Sequence, residues 1–346
     1  MISSYKSATL FCLGRSVHRE EDHDIDKLAL WLTGYPRITG LHYSEANGSL
    51  WLGLQAQLLK TVNVGSTPAP PDDNGSPFDT TFMPRKSYFT SDVDIHDITV
   101  GRDDKPYFIA TQCNCLCTVS EDSDSFKVVW KPPWISRLTF EDRCHLNGLC
   151  SRDGVPRYVT SVSRSDIIGG WREHRTNGGI VYDIVEDRLV CEGLSMPHSP
   201  RWHMNRLWVL EAGAGQFGYV NEEGEFEAKT FVPGFLRGLG FVSDKYAVVC
   251  CSIDRHEKLF QGLPLGERLR REGLGTRCGI YVIDLATFNI VHQFTFAGEK
   301  GPIELFDVVV IPDSQRPHAM GINDPKIMTH RKSGGAPLPL SPLLRE

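Results

Sequence analysis

Apolar and polar residues alternate in short runs along the whole chain. Ala8–Leu13, Leu50–Leu54, Tyr107–Ala110, Tyr158–Val162, Leu207–Leu210, Tyr246–Cys250, Ile280–Ile283 and Val308–Ile311 are rich in β-branched and aromatic residues at a period of two, and Gly, Asp, Asn and Pro separate them. The pattern predicts a strand-dominated chain. Two stretches read as helical: a weak one near Asp24–Leu32, and Lys258–Gly273, where Leu and Arg fall at three- and four-residue spacings. Neither can organise a helical domain.

Aligned on itself, the chain contains a repeat. HDITVGRDDKPYFIAT from His96 overlays LNGLCSRDGVPRYVTS from Leu146 at an offset of 50, a third copy starts at His198, and weaker ones start at Ile38, Leu236 and Phe306. Six units spaced by roughly 40 to 70 residues fit four-stranded propeller blades. The last copy begins a blade it cannot finish, while strand-like segments are left over at the N-terminus. An open sheet edge invites pairing with other chains, so the ring must close. The expectation is an all-β chain forming a single six-bladed β-propeller, closed by N- and C-terminal strands that share one blade. Residues 1–313 make the propeller, with an insertion at about 253–277. The Pro- and Ser-rich residues 314–346 are expected to be a flexible tail, and 66–76 a flexible loop.

Composition narrows the partners. With 37 Lys plus Arg against 43 Asp plus Glu, net −6, the chain lacks the basic footprint that nucleic acid or an anionic membrane would need. No apolar run approaches the ~20 residues of a membrane helix, and the first residues lack the apolar core of a secretory signal. No membrane partner and a cytoplasmic location are therefore expected. The ten cysteines follow no disulfide-scaffold spacing and read as reduced thiols.

The strings DVDIHDIT, ATQCNCLCT, WKPPWIS, EDRCHLNGL, PRYVTSV, GGWREHRTNGG, GLSMPHSPRW, LWVLEAG, PGFLRGLGF, GLPLGERL, RCGIYVIDL and IELFDVVVIP occur in that order. They closely resemble a bacterial family of conserved hypothetical proteins with a domain of unknown function, over Ser7 to Pro312. The resemblance implies a propeller-like fold and no established activity. The chain departs from the family at HREEDHD near the N-terminus and in its C-terminal tail.

In a propeller the innermost strands line a central channel, so repeats build sites by position. The first position of each copy holds Ile38, His96, Leu146, His198, Leu236 and Phe306; the next holds Thr39, Asp97, Asn147, Ser199, Arg237 and Asp307. The second set is polar throughout, which points to the lining of a wet channel rather than core. His96 and His198 share a register and His145 precedes it by one. Three imidazoles suit a divalent transition metal such as Zn, Fe or Cu, with Asp97 or Glu304 as catalytic carboxylate. The alternative is that each His caps a strand end. Arg237 is the natural anchor for an anion, or else a structural partner of Asp97 or Asp307. Asn147, Ser199, Asp307 and Trp171 complete the expected substrate-binding set, with Trp134 as a further loop aromatic. Cys113, Cys115 and Cys117 read as a buried row of thiols on one strand. These residues imply a small-molecule or peptide ligand, anionic or amino-acid-like. They leave open whether the protein is a metal-dependent enzyme or a non-catalytic interaction or sensing platform.

Overall fold

The structure is a computed structural model describing residues 1–4, 9–15, 28–68, 76–123, 125–253, 261–296, 302–325, 327, 332–333 and 336–337. Its strands form six antiparallel blades. Blade 1 runs from Leu41–Ser44 to Thr80–Phe89, blade 2 from Ile95–Val100 to Ser125–Trp130, and blade 3 from Leu146–Arg152 to Arg188–Leu194. Blade 4 runs from Pro197–His203 to Phe226–Phe231, and blade 5 from Phe235–Val242 to Ile290–Thr295. In blade 6, Asp307–Val308 is followed outward by Ile2–Ser4, Thr9–Arg15 and Leu28–Gly34. The first strands of neighbouring blades pack on one another around the axis. The arrangement is a six-bladed β-propeller.

The alternation seen in the sequence becomes packing between blades. Trp208 of blade 4 is fully buried, stacked on Phe217 at 5.1 Å and touching Phe241 of blade 5 at 5.8 Å. Each such side chain contributes about 1.5–3 kcal/mol by leaving water. Trp134 belongs to the same category: its ring meets Tyr182 edge-on at 5.3 Å in the blade 2–3 core, which makes it a packing residue.

Ile2 pairs with Val308 on one side and Phe11 on the other, so both ends of the chain contribute to blade 6. The segment beyond residue 313, expected to be a tail, instead begins as structure. Pro317–Ala319 forms a fifth, parallel strand on Thr80–Phe82 of blade 1. Arg316 is buried, His318 stacks on Phe78 at 4.3 Å, and Tyr35 and Thr33 donate hydroxyl hydrogen bonds to the carbonyls of Met320 and Ala319. Pairing on an exposed edge strand outweighed the Pro-rich local signal.

Two other expectations change. Residues 24–27 of the weak helix lie outside the described residues, and Leu28–Gly34 is a strand, because its aromatic and branched residues pair in register with Thr9–Arg15. The helical insertion is confined to Pro264–Glu272, started by its N-terminal proline and ended by Gly273 at φ 65°; residues 258–260, like 69–75 of the loop, lie outside the described residues. Among the described residues no helix is long and apolar enough to cross a membrane.

Candidate functional site at the mouth of the ring

Four of the six inner strands share one irregularity. Their register slips between Ile95 and Ile98, Leu146 and Gly148, His198 and Arg201, and Arg237 and Leu239, so a bulge recurs at one level of the ring and re-aims the side chains there. Ile98 pairs with Phe108 and Leu149 with Val159, which places equivalent strand residues 51 apart rather than 50. Asn147, not Leu146, therefore stands level with His96. His145 stands level with Asp94 and Met196, as the bonds from Val162, Thr111 and Ala212 to their carbonyls confirm.

Three of the six polar positions expected to line a wet channel are latches between blades. Asp97 accepts the backbone N–H of Leu149 at 3.0 Å, Ser199 that of Gly238 at 3.1 Å, and Asp307 that of Leu41 at 2.8 Å. In each case a side chain from an even blade holds the next odd blade. At the other three junctions a glycine lets the strands touch: a Cβ on Gly238 would lie 2.7 Å from the Cα of Asp307, and one on Gly148 2.4 Å from Pro200. Asp97 and Asp307 are both buried, and their carboxylates accept from backbone N–H groups and from a cation.

That cation is Arg201. Its guanidinium meets Asp97 at 2.9 Å and Asp307 at 3.3 Å, and donates to the carbonyls of Leu149 at 3.1 Å and Leu239 at 3.2 Å. One side chain of blade 4 thus ties in blades 2, 3, 5 and 6 and fills the axis. Burial opposes its charge, yet the two carboxylates hold it more firmly protonated than usual; burial also pushes Asp307 up to about 7 against the pull of Arg201. Sequence reasoning passed over Arg201. The available signal was a charged residue on an inner strand, level with the uncharged Thr99 and Cys150.

Outward of this plug lie the other expected residues. The rings of His96 and His145 meet edge to face at 5.0 Å, His145 stacks on Trp171 at 4.3 Å, and His96 touches Phe306 at 5.4 Å. Arg237 lies over Phe306 at 4.7 Å and Phe235 at 5.5 Å, and pairs with Glu304 at 3.3 Å rather than with Asp97 or Asp307. Its Nε is buried and finds no acceptor among the described residues. Burial lowers its pKa to about 10. Trp171 sits on the short 3-10 turn Gly170–His174, fastened by hydrogen bonds from Gly169 N–H to the Asp142 carbonyl and from Trp171 N–H to that of Arg143.

All three histidines are tethered through Nδ1. His198 meets the Met196 carbonyl at 2.9 Å and His145 the Asp142 carboxylate at 2.8 Å. His96 faces Asp94, whose carbonyl lies at 3.3 Å and carboxylate at 3.5 Å. These partners accept, so they assign the proton to Nδ1 and leave a lone pair on Nε2. Burial drives the pKa of His96 down to about 4 and that of His198 well below the usual value, so both are neutral at pH 7. Asp142 shows the opposite balance: burial pushes its carboxyl up, but the hydrogen bond from His145 holds it below the usual range. His145 has a left-handed backbone, φ 54°, as do Asp94 at φ 56° and Met196 at φ 46° on the same level, so the conformation belongs to the repeat.

The expected metal triad is not assembled. The Nε2 of His198 lies 3.4 Å from the amide nitrogen of Asn147, whose oxygen accepts from Thr160, and this spends the lone pair inside the ring. Among the described residues no three His, Cys, Asp or Glu side chains stand in a metal-holding arrangement. Asn147 and Ser199 make their hydrogen bonds to residues of the ring. The thiols differ in detail: Cys113 ends a 3-10 turn and only Cys115 and Cys117 lie on the strand, their sulfurs 3.5 Å apart in the blade 2 core.

Among solved structures, the nidogen/laminin complex matches with 10% identity and a TM-score of 0.52, over 87% of this chain and 97% of that one. The streptogramin B lyase structure matches at 11% identity and TM-score 0.40, over 93% and 80%. Regucalcin from Agrobacterium tumefaciens, a calcium-binding protein, matches at 9% and 0.45, over 82% and 77%. At these identities the first likeness speaks to fold alone. No curated protein matches the chain. The sequence profile described as "Domain of unknown function (DUF4915)" matches residues 1–320, a span that includes the fifth strand of blade 1. The chain is a member of that family.

Proposed function

We propose that the mouth of the propeller binds a small organic anion, with Arg237 as its anchor. One observation carries the reading: the Arg237 guanidinium lies against two aromatic rings and pairs with Glu304, and its buried Nε–H has no acceptor among the described residues. An unmade hydrogen bond on a buried cation costs on the order of 1–3 kcal/mol, so a site that keeps one open favours a ligand that completes it. The fork of arginine matches a carboxylate through two parallel bonds. Trp171, His96 and His145 form the opposite wall, while the Arg201 plug behind them gives the site a floor.

Thermal-shift screening against a panel of small carboxylates and phosphates, with Arg237→Gln beside the wild type, tests the reading. At least one anion should raise the wild-type melting temperature and leave the variant unmoved; a shift of equal size in both proteins would refute it. A metal-dependent site is a second reading. It is favoured by the tethering of His96 and His145 through Nδ1, which is how metal-ligating imidazoles are oriented. Elemental analysis decides it: stoichiometric metal that disappears in His96→Ala supports that reading, and metal-free protein removes it.

A further inference from the structure

The two sides of the mouth differ in charge. On the side of blades 5 and 6 stands Arg237, with its open Nε–H and its partner Glu304. On the side of blades 2 and 3 stand the imidazoles of His96 and His145, and directly behind them the carboxylates of Asp94 and Asp142. Both Nδ1 atoms are committed to these partners, so in the neutral rings the Nε2 atoms accept hydrogen bonds. No described residue donates to either. His198 provides the contrast within the same ring, since Asn147 already satisfies its Nε2.

A simple carboxylate would use only the arginine side and leave two acceptors, each backed by an anion, facing an apolar part of the ligand. Buried acceptors left unpaired are costly. A ligand that also carries a protonated amine would satisfy both sides. Of the cations near this wall, Arg172 lies over Trp171 at 4.4 Å, and Arg37 is drawn outward to Asp92 at 3.1 Å and lies 4.0 Å from Asp94. Asp142 meets none within ion-pair distance among the described residues except His145 if protonated.

We infer that the ligand is a zwitterion of the α-amino acid type, its carboxylate on Arg237 and its ammonium shared between the Nε2 atoms of His96 and His145, with Asp142 as the positioning residue that fixes the His145 tautomer. This class rests on the Arg237 reading and deepens it.

The test is calorimetric titration of the intact protein at pH 7.5 with each of the twenty free L-amino acids. The best binder is then compared with its des-amino acid and its carboxamide. At least one amino acid should bind, and both analogues should bind at least tenfold more weakly. Asp142→Asn should bring the amino acid down to the affinity of the des-amino acid while leaving the latter within twofold; circular dichroism confirms that the variant is folded. If the des-amino acid binds as tightly as the amino acid, or if no amino acid binds while another anion does, the zwitterion is wrong and the arginine anchor survives. Binding of the amino acid and of its des-amino acid that is indifferent to Arg237→Gln would remove both.

Discussion

Arg201 and Arg237 are both guanidiniums buried near the axis, and their surroundings give them opposite tasks. Arg201 is saturated: two carboxylates and several carbonyls use its donors, so it holds the ring shut. Replacing it by methionine leaves the buried carboxyls of Asp97 and Asp307 without their cation. That should cost about 3–5 kcal/mol in urea unfolding, and a loss under about 1 kcal/mol would show that the cluster does not hold the blades. The buried histidines predict a pH dependence. His42 and His96 are held near pKa 4 and His198 well below its usual value, so unfolding takes up a proton at each between about pH 4 and 6.5. Asp307, raised to about 7, releases one in the same window. The unfolded state therefore binds about two more protons near pH 5, and stability should fall as pH drops from 6.5. Unfolding midpoints that are flat or rising toward pH 5 would contradict these burials.

At the scale of single strands, the period-two pattern located the sheets because one face of each strand must leave water. The register of the repeat was legible only to within one residue. Pro106 and Pro156, which dominate the alignment of blades 2 and 3, follow turns that differ by one residue, so they lie 50 apart while the strands before them lie 51 apart. A shift of one exchanges the level of His145 and the roles of Asn147 and Gly148. The bulges are invisible for the same reason, since an extra residue in one strand leaves no compositional mark. Their tightness is testable. Gly238 has φ 66° and no room for a Cβ, so Gly238→Ala should destabilise by at least about 2 kcal/mol. Gly34→Ala, where a Cβ meets nothing within 4 Å, should stay within about 0.5 kcal/mol. Equal effects would refute the close approach of blades 5 and 6.

For the whole molecule, the sequence revealed the number of blades and the convergence of His96, His145, His198 and Arg237 on one end of the ring, because position within a repeat dictates position in space. It did not reveal which polar residues are spent on closing the ring, since that depends on partners more than 50 residues away, such as Leu149 for Asp97 and Leu41 for Asp307. Closure has a second component in Pro317–Ala319, which binds the outer edge of blade 1 after the chain has entered blade 6. Truncation after Asp313 removes this strand, the stacking of His318 on Phe78 and two buried hydroxyl bonds. It should lower the melting temperature by several degrees or more; an unchanged melt would make the strand dispensable.

The location of the ligand is the point on which the functional account turns, and a crystal structure grown with the tightest-binding acid tests it most directly. The acid should lie at the mouth, its anionic group within hydrogen-bond distance of Arg237 and its remainder against His96, His145 and Trp171. The same acid bound in a groove between outer strands, or at the far end of the ring beyond Arg201, would contradict it.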